Sequence, residues 1–315
     1  MTDSLPVRLA HELERQPQAQ RWLIEGLWGE RAVGIVGGEP KCCKSWLALD
    51  AAVSVASGAP CLRRFAVSSP GPVLLYAAED ALHVVRERLE GICAAAGQTL
   101  ARLPLHVITA PVVRLDLERD RAALRAAVVA LAPRLLVLDP FVRLHRVDEN
   151  QAGEVAPLLA YLRELERRFE TAVLLVHHAR KGGHARAGQA LRGSSELHAW
   201  GDSNLYLRRR GDSLTLTVEH RAAPAPPPLQ LALREARGGI SLAIDEASTP
   251  SEATPKTASP RERVLAALAD ADQPLTTREL RELCRMRTAT LCDLLRELVA
   301  DGVVVQSALG YVRTG

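Results

Sequence analysis

The sequence predicts an α/β protein with a mainly parallel central sheet, joined to a small C-terminal unit of three helices and a β-hairpin. Three observations carry that expectation. Short apolar runs alternate with amphipathic stretches of helical period, as buried parallel strands alternate with their crossover helices. A glycine-led turn rich in small and basic residues joins the first such run to the first such helix. The stretch EASTPSEATPKTAS over 246–259 lacks apolar periodicity and reads as a linker. Together they predict a domain over 1–245, the linker at 246–259, and a second domain over 260–315.

Taken in order, the N-terminal segment through RWLIEGLW is expected to be helical and to pack on the core. Ala32–Gly37 is a strand, and a helix runs from about Lys44 to Ser57. The apolar run PVLLYA (Pro72–Ala77) is a second strand, followed by a helix over Ala81–Gly97. Leu105–Thr109 is strand-like, Glu118–Leu131 helical, and LLVLD (Leu135–Asp139) a strand. A helix over Val155–Glu170 leads to a strand at Ala172–His177. After Gly201 the pattern changes. Asn204–Arg209 with Leu214–Glu219, and Leu229–Glu235 with Ile240–Ile244, flank glycine turns and read as hairpins that extend the sheet antiparallel at one edge. Pro260–Ala269, Thr276–Cys284 and Thr288–Ala300 are helices, and Gly302–Val305 with Gly310–Arg313 is a hairpin.

The chain has 315 residues, 47% of them apolar, enough for one large core and one small one. Aromatics make up only 3%, so leucine, valine, alanine and isoleucine must fill those cores. A formal charge of +3 is too small to imply nucleic-acid binding by itself. The opening residues MTDSLPVRLAHELERQ show no apolar stretch after a basic start, so a secretory leader is not expected, nor is any run long enough for a membrane span. The six cysteines form no CxxC pairs and read as reduced, mostly buried cytosolic thiols.

The chemistry centres on Gly38-Glu39-Pro40-Lys41-Cys42-Cys43-Lys44-Ser45, between a strand and a helix and followed by Trp46. A phosphate-binding loop there needs GxxxxGK[ST]. Backbone amides and the helix N-terminus surround the phosphates, the lysine reaches the β and γ oxygens, and the hydroxyl ligates Mg2+. Gly38, Lys44 and Ser45 match. Cys43 replaces the second glycine, where a Cβ adds ~1 kcal/mol of strain in the left-handed backbone the loop requires. Asp139 ends the strand LLVLD, where a second carboxylate would hold the Mg2+ shell. Glu79 and Asp80 follow PVLLYA at the end of a strand facing the ligand crevice of such sheets. Glu79 is the candidate base that activates water. The alternative for this pair is a helix N-cap, a role that Asp80 fits better.

Together GGEPKCCKSW, YAAED, LLVLDPFVRLH, LLVHHARKGG and LRGSSELHAWGDSNLYL resemble the RecA-like P-loop ATPases of the plasmid RepA helicase type, akin to KaiC and replicative-helicase cores. The likeness runs from about Leu23 to Ile244. It implies ATP and Mg2+ as ligands, with Gly38 through Trp46 forming the nucleotide loop. Lys44 and Ser45 would bind phosphate and Mg2+, Glu79 would be the catalytic glutamate, and Asp139 the second acid on the metal side. His177 or His178 would sense the γ-phosphate, and Arg192 matches the region of ring-interface arginines. The resemblance also implies a homo-oligomeric ring, commonly a hexamer, with single-stranded DNA in its pore. The segment Ala179–Ser195, carrying Arg180, Lys181, Arg186 and Arg192, corresponds to the loop that meets the strand. Basic side chains of this kind suit sequence-independent phosphate contact; a solvated loop is the alternative.

The C-terminal pattern reads as a winged helix-turn-helix whose third helix would enter a major groove, with Arg285 and Arg287 on the local contact face. Its charges nearly cancel, so a protein-docking or dimerising role stands beside DNA contact. The overall expectation is a cytoplasmic ATP-hydrolysing motor or switch on DNA, with a nucleotide-dependent adaptor of slow turnover as the alternative.

Overall fold

The computed structural model describes residues 7–13, 21–178, 195–236, 238–245, 260–269, 271, 273–284, 286, 288–307 and 310–313. The expected linker at 246–259 lies outside these residues. The chain divides into two compact units, Met1–Thr249 and Pro250–Gly315.

The entry segment departs from the expected helix. Trp22–Ile24 (β1) and Trp28–Gly29 (β2) pair antiparallel, with Gly26 left-handed (φ 69°) between them. Leu23, Ile24, Leu27 and Trp28 are all buried, and the Trp28 indole donates to the Ala32 carbonyl at 3.2 Å. A helix would leave part of so dense an apolar cluster in water; a tight ribbon pressed on the core covers it all. Farther upstream, only a short 3-10 turn, Ala10–Glu12, is described.

The first unit then alternates strand and helix. Val33–Gly38 (β3) leads into Lys44–Ser57 (α1), Val73–Ala77 (β4) into Leu82–Ala95 (α2), and Leu105–Val107 (β5) into Glu118–Leu131 (α3). Leu135–Asp139 (β6) precedes Ala152–Phe169 (α4), and Ala172–His178 (β7) precedes Ser195–Trp200 (α5). The remaining strands are Ser203–Arg210 (β8), Ser213–His220 (β9), Leu229–Ala236 (β10) and Gly239–Ile244 (β11). Among the described residues they form a nine-stranded sheet ordered β11-β10-β9-β8-β3-β7-β6-β4-β5. β3 lies parallel between β7 and β8, with Val36 opposite both Val176 and Leu205. β8 and β9 form one of the expected antiparallel hairpins and β10 and β11 the other, and β8 joins them to the parallel part of the sheet. The α4 helix also starts earlier than expected, at Ala152, because its first turn is solvent-exposed and carries no apolar period to read.

The strands are buried on both faces. Leu47, Val53, Val85, Leu89 and Ile92 of α1 and α2 pack on one face. Leu124, Val128, Leu158, Leu162 and Leu165 of α3 and α4 pack on the other. Strand ends between helices on opposite faces open a crevice, the usual ligand position in such sheets.

In the second unit, Pro260–Ala269 (α6), Thr277–Cys284 (α7) and Thr288–Ala300 (α8) precede the hairpin Val304–Ser307 (β12) and Gly310–Arg313 (β13). Val264, Leu268, Leu280, Leu291, Leu295, Leu298 and Val304 form its core. Thr276 caps α7 reciprocally. Its hydroxyl accepts from the Glu279 N–H at 3.3 Å, and its own N–H donates to Glu279 Oε2 at 2.8 Å.

Candidate functional site

Sheet register brings the expected site residues to one edge. Gly38 at the end of β3 lies opposite His178 of β7, and Asp139 at the end of β6 lies opposite Ala77 of β4. Glu79 and Asp80 follow β4 directly. A cleft of about 370 Å³ opens here between the loop Lys41–Trp46 and these strand ends.

The loop takes the conformation its glycine pattern predicts, although Cys43 carries a side chain. Cys43 is left-handed at φ 63°, ψ 25°, as is Lys41 at φ 64°. Gly38 has no such latitude. At φ 156° an added Cβ would stand 2.3 Å from the Leu207 carbonyl oxygen and 2.6 Å from Cys42 Sγ. Cys42 is fully buried beneath the loop, where burial raises its thiol pKa. The buried Lys44 ammonium donates to the Glu39 carbonyl at 2.8 Å, and Pro40 is exposed. The loop leads into the α1 N-terminus and places this lysine in the cleft lining, the ingredients of an anion-binding arrangement.

Opposite the loop stand the acids. Asp139 is only 8% exposed, and its carboxyl is pushed up to about 6. Burial is the main cause, and Asp80 and Glu79 add to it. A hydrogen bond from the Ser45 hydroxyl and the charge of Lys44 work against it. A buried carboxylate with two further acids beside it fits a divalent cation, whose charge would offset both the burial and the repulsion. The fit extends to the Mg2+ pattern of one carboxylate, one loop hydroxyl and substrate phosphates. Ser45 and Asp139 would hold the ion, and the ion would supply charge neutralisation between phosphate oxygens.

Glu79 is exposed and accepts from Arg143 Nε at 2.9 Å. Asp80 is not a helix cap. The N-cap of α2 is Ala81, without a side-chain cap bond, and Asp80 pairs with Arg88 two turns along α2 at 2.5 Å. The Arg88 guanidinium also lies 5.4 Å from the centre of the Trp46 ring, so the pair braces one wall of the cleft.

The two histidines separate by strand alternation. His178 is half-buried and lines the cleft. His177 points to the opposite face. It is 1% exposed, its ring centre 6.1 Å from that of Phe141 and its Nδ1 3.9 Å from Glu149 Oε1. Glu149 also meets the buried His145 at 3.4 Å. Its carboxyl is held low, as the histidines outweigh the effect of burial. The expected roles of Arg180, Lys181, Arg186, Arg192, Arg285 and Arg287 fall on residues outside those described. Arg88, Arg209 and Leu233 line the cleft without a role at the nucleotide loop having been expected of them. Asp80 ahead of α2 and Arg88 within it, opposite charges eight residues apart, were a legible signal for the first. The other two come from strands distant in sequence.

A profile of the AAA domain family matches residues 3–184. Among solved structures the chain is similar to the ATPase domain of G40P, with a TM-score of 0.52 and 14% identity over 67% of this chain and 84% of that one. It is also similar to a DnaB-like replicative helicase studied with its interactions with primase, with a TM-score of 0.51 and 14% identity over 67% of this chain and 59% of that one. The large unit thus has the RecA-like α/β fold, and none of the described helices is long and apolar enough to cross a membrane.

Proposed function

This chain belongs to the AAA domain family, whose profile spans residues 3–184, and from that premise we propose that it binds and hydrolyses ATP with Mg2+. The observation that carries the reading is a single cleft, formed by a loop already in its left-handed shape and lined by both Ser45 and Asp139. It sets the metal-side hydroxyl and carboxylate together, with Lys44 beside them. Lys44 would hold the β and γ oxygens, His178 would bond a γ-phosphate oxygen, and Glu79 would orient water and take its proton. Lys44→Ala should abolish nucleotide binding in calorimetry. Glu79→Gln should bind normally and release no phosphate; wild-type turnover in that variant would remove Glu79 from the role of base.

The finer reading is a cytoplasmic, RepA-type motor or switch on DNA. It would act as a homo-oligomeric ring, by resemblance a hexamer, with Arg192 at subunit boundaries and Arg180, Lys181 and Arg186 gripping single-stranded DNA. The residues 260–315 would act as a winged helix, presenting Arg285 and Arg287 to duplex DNA. Support comes from the G40P ATPase domain and the DnaB-like replicative helicase that share the fold, and from the three-helix-plus-hairpin order of the second unit. Strand displacement that depends on ATP, together with DNA-stimulated phosphate release, tests this reading. A second reading, a nucleotide-dependent adaptor or regulator with slow turnover, is favoured by the ion pair that engages Glu79 with Arg143. DNA-independent, slow phosphate release without strand displacement would select it.

A further inference from the structure

Position 43 is where the loop departs from its glycine pattern, and that departure has a partner. The Cys43 thiol accepts a hydrogen bond from Arg209 Nη2 at 3.3 Å, across the rim of the cleft. Arg209 lies near the end of β8. Successive side chains of a strand alternate between faces. Leu205 and Leu207 pack in the core on the α1 side, and Tyr206 packs on the other. Arg209 therefore continues the α1 side toward the loop, whereas Arg208 and Arg210 take the alternate positions with Tyr206. Register explains its reach: Gly38 is opposite Leu207, so Arg209 stands just beyond the first glycine of the loop. Arg209 lines the same cleft as Lys41, Lys44 and Ser45.

We propose that Arg209 is a further phosphate-binding residue of this cleft, and that the Cys43 thiol is the clip that aims it. The ligand class is the diphosphate segment of a nucleoside di- or triphosphate, so the inference rests on the nucleotide-binding reading above. A guanidinium has five N–H donors in a planar fork, and sulfur is a weak acceptor. The contact to Cys43 thus orients the group while leaving donors for phosphate oxygens, where charge-assisted bonds are stronger. Glycine at position 43 would relax the backbone but release the clip. The cysteine in this loop is then a substitute that trades ease of folding for a second cation, supplied from a neighbouring strand of the same chain.

The test is calorimetry of the full chain with ADP and with AMP, on wild type, Arg209→Ala, Arg209→Lys, Cys43→Gly, the Cys43→Gly/Arg209→Ala double variant, and Lys44→Ala. Arg209 is exposed, and a melting curve for each variant confirms that it is folded. Arg209→Ala should weaken ADP about tenfold and leave AMP within about twofold, the scale of one charged hydrogen bond. Arg209→Lys should fall between, keeping charge without the fork. In the Cys43→Gly background the same Arg209→Ala change should weaken ADP less than about threefold. Wild-type ADP affinity in Arg209→Ala, with binding lost in Lys44→Ala, would overturn the Arg209 assignment and leave the nucleotide site standing. Equal losses in both backgrounds would overturn the clip, and equal losses for AMP and ADP would overturn the diphosphate contact. No binding of ADP to wild type would remove both the inference and the reading beneath it.

Discussion

Replacing Asp139 with Asn should stabilise the metal-free protein at neutral pH while destroying its response to Mg2+. Asp139 is almost wholly buried, and its carboxyl is raised from 3.8 to about 6, by burial first and then by Asp80 and Glu79. At 1.36 kcal/mol for each tenfold change in proton affinity, the ionised form is disfavoured in the fold by ~3 kcal/mol as an upper bound. The sign follows from proton counting. Between about pH 4 and pH 6 the unfolded chain has released this proton and the folded chain still holds it, so stability falls as pH rises, then levels off above about 6. Asn has the same shape and carries no charge, so it removes the penalty. For a domain of this size each kcal/mol shifts Tm by about 2–4 °C, which caps the gain at ~6–12 °C at pH 7 in EDTA. Scanning calorimetry of both proteins at pH 4, 5, 6 and 7, with EDTA and then with Mg2+ and ADP, measures it. Wild type should gain from Mg2+ and ADP far more than the variant does. An Asn variant no more stable than wild type in EDTA at pH 7, with a flat wild-type profile between pH 4 and 6, would refute the view that Asp139 is kept under electrostatic strain for a cation.

Other variants probe the remaining supports. Gly38→Ala would set a methyl 2.3 Å from the Leu207 carbonyl, so urea denaturation should show a loss of ~2 kcal/mol or more, together with weakened ADP binding. Asp50 is fully buried, accepting from the Leu62 N–H at 2.7 Å and from Arg63 at 2.6 Å. Asp50→Ala should therefore lose ~3–5 kcal/mol in urea denaturation, and Asp50→Asn clearly less, since the amide still accepts from Leu62. Thr276→Ala removes the reciprocal cap of α7 and should lower the stability of the second unit by ~1 kcal/mol, read by chemical denaturation.

Much of this was legible from local pattern. Strands such as Leu135–Asp139 and helices such as Lys44–Ser57 and Glu118–Leu131 follow from apolar runs and helical periods that depend only on neighbouring residues. The strand–loop–helix frame around Gly38, Lys44 and Ser45 was readable despite Cys43, because those residues keep the spacing of a phosphate-loop pattern. Trp22–Trp28 was misread as helix because a dense apolar stretch carries no period, and contact with the core decides its form. The start of α4 was missed for the opposite reason, since an exposed first turn has no apolar signature.

By itself the sequence determined the alternation of strands and helices, the loop between Gly38 and Ser45, and the acids Glu79 and Asp139 at strand ends, all encoded within short windows. Only the tertiary structure decided that His178 rather than His177 meets the cleft, that β8 runs parallel beside β3, and that Arg209 reaches Cys43 from the far side of the loop. Those facts depend on which face each strand buries and on its register with strands more than a hundred residues away. A single sequence does not write such pairings down, because they arise when distant apolar faces find a common core.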